Sequence, residues 1–140
     1  MPATPLSISK PPSNRSARAA LHGTWRMQEF VMAGTATRPA ADVTWAVRGE
    51  ELVIRHDGVV QRPLDGVGFA LVASPGGRNG AVDYVVRYAS GRVHTLPGVF
   101  EVDGDTLTLS VPTLGERTAD CTPGPDCIVY TFTRVPDAEL

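Results

Sequence analysis

Lysine is nearly missing from this chain: of thirteen basic residues, Lys10 is the only one and the other twelve are arginine. Arginine pairs bidentately and stacks on aromatic rings where lysine does not, but so skewed a ratio reflects codon composition before it marks a site. Like charges never gather in a block, and the net charge is −2. That removes the electrostatic basis for nucleic-acid binding or for an anionic membrane surface. No apolar run approaches the roughly 18 residues that cross a bilayer, and Met1 to Ala20 lack the apolar centre of a secretory signal, so the expected location is cytoplasmic. Cysteine is confined to Cys121 and Cys127, which bracket Thr-Pro-Gly-Pro-Asp. They could bridge across that tight loop, although a reducing cytosol opposes it, and without a histidine pair nearby they make a poor zinc site. Long helical periodicity and internal repeats are absent too.

What remains is alternation. From residue 24 onward nearly every segment repeats with period two and stops at a turn signal. The expected strands are Thr24–Met32, Val43–Val47, Glu51–His56, Val59–Arg62, Phe69–Ala73, Val82–Ala89, Arg92–Leu96, Val99–Val102, Thr106–Val111 and Cys127–Val135. Asp57-Gly58, Ser90-Gly91 and Asp103-Gly104-Asp105 supply hairpin turns. Pro97-Gly98 predicts a bulge or an edge. Residues 1–18 read as a flexible N-terminal tail with a helical turn following, 19–136 as one β domain and 137–140 as a short C-terminal tail.

Short antiparallel strands with hairpin links fit a barrel or a sandwich. The ends of the chain favour a barrel. Trp25 in the first strand and Arg134 in the last each sit on the bulky apolar face, and a guanidinium there needs compensation. Stacking on the indole supplies some of it, and pairing the first strand with the last removes two open edges. The alternative leaves Arg134 in solvent at a strand end. The expected fold is all-β, a small antiparallel up-and-down barrel of about eight strands.

Three stretches together carry a resemblance. Leu21-x-Gly23-Thr24-Trp25, the run from Gly98 to Leu109 with its Asp103-Gly104-Asp105 hairpin, and the closing Phe132-x-Arg134 resemble a family of small bacterial lipocalin-like domains of unknown function, numerous in planctomycetes. The likeness spans about residues 20–135. It implies a calycin-type barrel closed at one end by Gly23, Trp25 and Arg134, and it implies no reaction. Many relatives look exported, whereas no signal is evident here, and the Cys121–Cys127 loop lies outside the pattern.

If Trp25 faces inward, strict alternation also turns Met27, Glu29 and Val31 inward. A carboxyl among apolar neighbours is a candidate general acid or base, which makes Glu29 the one catalytic candidate. The same phase argument adds Trp45, His56, Tyr84, Tyr88, His94, Phe100 and Tyr130 as ligand-lining candidates. Polar points on an apolar wall are the usual make-up of a ligand pocket. Pro75 to Gly80 is glycine-rich but opens no helix, so it lacks a phosphate cradle's dipole. Asp103-Gly104-Asp105 lacks the other ligands of a calcium loop. No serine has a nucleophile-elbow setting, and neither cysteine has a base beside it. No cofactor and no metal site is expected.

Three functions follow. The first is binding of a small apolar or amphipathic molecule inside the barrel. The second is a cyclase or isomerase that folds a substrate in the cavity, with Glu29 moving protons. The third is a filled barrel that binds another protein through its surface.

Overall fold

The computed structural model describes residues 19–73, 80–113, 121–122 and 124–136. The two expected tails and nearly all of the glycine-rich turn at 75–80 lie outside them. After a single helical turn at 19–21 the described chain is strand after strand: β1 (Gly23–Met32), β2 (Thr35–Thr37), β3 (Val43–Arg48), β4 (Glu51–His56), β5 (Val59–Val60), β6 (Gly66–Ala73), β7 (Ala81–Tyr88), β8 (Val93–Asp103), β9 (Thr106–Pro112) and β10 (Cys127–Arg134). Valine, threonine and aromatic residues dominate these segments, the side chains that suit a pleated, half-buried surface.

Eight strands form a closed ring, β1-β3-β4-β6-β7-β8-β9-β10, and β10 returns to pair with β1. Every pairing is antiparallel, and the ring follows chain order. The fold is therefore an up-and-down β-barrel. Two short strands lie beside it: β2 extends the edge of β1, and β5 extends β4. No helix among the described residues is long and apolar enough to cross a membrane.

Pro97-Gly98 does not break its strand. β8 runs through both residues with unbroken register to β7, Val82 opposite Gly98 and Asp83 opposite Pro97. Gly98 is there because the backbones crowd: a Cβ at this position would lie 2.7 Å from the Ser110 carbonyl oxygen.

One end of the barrel is sealed. Trp25 is fully buried, its indole N–H donates to the Leu21 carbonyl at 2.9 Å, and the Arg134 guanidinium lies over its ring at 4.2 Å. Arg134 also donates to the His22 carbonyl at 3.0 Å and pairs with the exposed Asp105 carboxylate at 3.6 Å. Gly23, at φ +135°, leaves room for that guanidinium; a Cβ there would stand 2.7 Å from Arg134 Nη1. Above this plug sit Val47, Leu52, Leu71, Val82, Leu107 and Phe132, all buried.

Cys121 and Cys127 are buried and not joined by a disulfide. The Cys121 sulfur lies 3.6 Å from the Val99 carbonyl oxygen and 3.7 Å from that of Thr108, which sets Cys121 against β8 and β9.

Candidate functional site

Beyond the Trp25–Arg134 plug, β1 changes phase. Trp25 pairs with Arg134 and Met27 with Phe132, but the next partners are Glu29 with Thr131 and Phe30 with Tyr130. Gln28 is therefore the extra residue of a β-bulge, and its side-chain amide donates to the outward-facing Thr133 hydroxyl at 2.9 Å. A bulge reverses the phase of everything after it. Phe30 and Met32 consequently turn inward, and Glu29 shares the outer face with Thr131. The expectation that Glu29 lines the cavity is overturned: strict alternation holds only as far as Met27.

Opposite the bulge the neighbouring wall opens. Phe30 pairs with Thr37 of β2, whereas Arg26 pairs with Thr44 of β3. Six residues on one side thus face three on the other, and the surplus at Pro39–Ala41 leaves the sheet. Arg26 fastens the base of this excursion through a 3.0 Å ion pair with Asp42, whose amide donates to the Asp57 carboxylate.

Between the excursion and the sheet lies an open hollow of about 520 Å³, walled by Met27, Phe30, Val43, Ile54, Ile128 and the ring of Tyr130, with Trp45 among them. A second hollow of about 290 Å³ shares Trp45, Ile128 and Tyr130 with it and adds Tyr84, His94 and Leu96. The first falls within the volume range of small-molecule pockets and has their apolar make-up. Among the described residues neither hollow is lined by a carboxylate, a lysine or an arginine. The ionisable groups present are His56 in the first, His94 in the second, Tyr84 in the second and Tyr130 in both.

Aromatic rings organise the space. Trp45 stacks nearly parallel on Tyr84 with ring centres 5.8 Å apart, and Tyr84 stacks in turn on Phe69 at 5.9 Å. Tyr130 tilts against Trp45 at 5.8 Å, and Phe132 lies against it at 4.9 Å. Offset and tilted rings at such spacings attract beyond their buried area. Burial pushes the Tyr84 phenol well above its ordinary 10.0, helped by Tyr130 and then Tyr88, and burial raises Tyr130 too. Both phenols stay neutral throughout the physiological range.

The remaining sequence candidates separate by depth. Met27, Trp45, Tyr84 and Tyr130 line the hollows, and the exposed His56 and His94 stand at their rims. Phe100 packs in the buried core and lines neither hollow. Tyr88 also lines neither; its ring lies under the Arg92 guanidinium at 4.5 Å. Sequence reasoning missed Phe30, Ile54 and Ile128. The signal for Ile54 and Ile128 was present in the phase of their strands, whereas Phe30 needed the bulge. Comparison with family models, curated proteins and solved structures finds no match for this chain.

Proposed function

We propose that this chain is a lipocalin-like barrel that binds a small apolar or amphipathic molecule in the hollow at its open end. The observation that carries the reading is the 520 Å³ space itself, apolar along its walls and set opposite a plugged end. A barrel of eight strands has an interior just wide enough to fill with side chains or to hold one small ligand, and this interior is filled at one end only. A wholly filled barrel, the third reading, would have no such space. A cyclase built on Glu29 loses its acid–base group, since that carboxyl is on the outer face.

The two tryptophans make the test direct. Trp25 is sealed in the plug, and Trp45 lines both hollows. Titration with lipophilic naphthalene dyes is expected to quench tryptophan emission and transfer energy to the dye. In Trp45→Phe most of that response disappears, while Trp25 keeps its emission. An equal response in the variant would place binding elsewhere and end the proposal.

A further inference from the structure

The inference deepens the binding reading and rests on it: it concerns the chemistry of the molecule held. Tyr84 and Tyr130 each lie with their ring centre 5.8 Å from the Trp45 indole, and both line the smaller hollow. Among the described residues no hydrogen bond engages either hydroxyl. Yet no fully buried polar side-chain atom lacks a partner. The two hydroxyls must therefore reach accessible space, and the space their residues line is the hollow.

A phenol donates a hydrogen bond well and accepts one poorly, because its lone pairs are delocalised into the ring. No carboxylate, lysine or arginine stands along the described walls, and the two imidazoles, His56 and His94, are exposed at the rims, so deep in the hollows a full charge of either sign has no counterpart. Taking an isolated charge out of water without a partner is costly. From these walls we infer that the barrel selects a neutral, largely apolar molecule carrying a carbonyl oxygen, held through that oxygen by the Tyr84 and Tyr130 hydroxyls while its body lies against Trp45. Burial keeps both phenols protonated and so keeps them donors.

Two probes of nearly equal shape, acetylnaphthalene and ethylnaphthalene, separate the carbonyl from the ring that bears it. Each is titrated into the wild-type protein and into Tyr84→Phe/Tyr130→Phe, following Trp45 emission. The double variant is expected to lose about tenfold in affinity for the ketone and almost nothing for the hydrocarbon, since two neutral hydrogen bonds are at stake. In the wild type, the carbonyl stretch of bound acetylnaphthalene is expected at lower frequency than in hexane. Should both probes bind and the ketone be indifferent to the two substitutions, with its stretch where hexane puts it, carbonyl recognition is overturned and the binding hollow stands. Should neither probe bind the wild type, the hollow itself is not a binding site and both readings fall. The vibrational measurement needs only the wild type, so it decides the matter even if the double variant folds poorly.

Discussion

Arg134 shows how one side chain can be satisfied several ways at the end of a strand. Its guanidinium lies on the Trp25 indole, donates to a backbone carbonyl and faces an exposed carboxylate. Only the first two matter for stability, since Asp105 is largely in solvent and exposed pairs contribute little. Arg134→Ala is expected to lower unfolding free energy by about 1–3 kcal/mol, from the stacking and the lost hydrogen bond together. Gly23→Ala should cost a similar amount, about 1–3 kcal/mol, because it forces a side chain into a positive φ and toward the same guanidinium. Urea denaturation of both variants checks this, and a double variant that loses far less than the sum would show that they act on one contact. The indole–guanidinium pairing was legible in the sequence because both residues fall on the apolar phase of their strands. Glu29 was not, because one inserted residue two places after Met27's neighbour Arg26 reverses phase without leaving any glycine or proline to announce it.

Among the elements, the seams of the barrel are unequal. β1 and β10 pair over seven positions, β7 and β8 over seven, but β4 and β6 meet only at Glu51 with Ala70 and Leu52 with Phe69. Beyond that contact β4 turns its edge to the two-residue β5, and β6 carries its own bulge between Gly66 and Gly68. Local opening is easiest where fewest hydrogen bonds must break. Amide exchange is accordingly expected to be faster in β4 and the first half of β6 than in β1 and β10; equal protection would mean that the ring opens only as a whole. Strand positions came readily from alternation, and Glu51–His56 was placed to the residue. The split into two strands at Pro97-Gly98 was misjudged, since β8 runs on through both against β7, but the edge expected there exists on the β9 side, where pairing begins only at Val99. β2 was missed because Thr35–Thr37 is too short and too exposed to carry a pattern.

For the molecule as a whole, the two half-buried phenols set a limit on alkaline stability. Tyr84 and Tyr130 keep their protons longer in the fold than in the unfolded chain. Below their ordinary value of 10.0 both states are protonated and nothing is gained or lost. As pH rises beyond it the unfolded chain releases protons first, so stability falls with pH. Thermal melts are expected to hold steady up to about pH 10 and then decline, and Tyr84→Phe should flatten part of the decline. A variant declining as steeply as the wild type would show that the fold does not hold the Tyr84 proton.

The plug has a consequence for traffic. A vessel stoppered by Trp25 and Arg134 at its base has its neck at the other end, where Pro39–Ala41 and His56 stand. An occupant that enters and leaves past that neck meets it both ways, so narrowing the neck slows filling and emptying by the same factor. Residence time and affinity are thereby uncoupled: the neck sets how long an occupant stays, and the aromatic floor sets how much it prefers to be there.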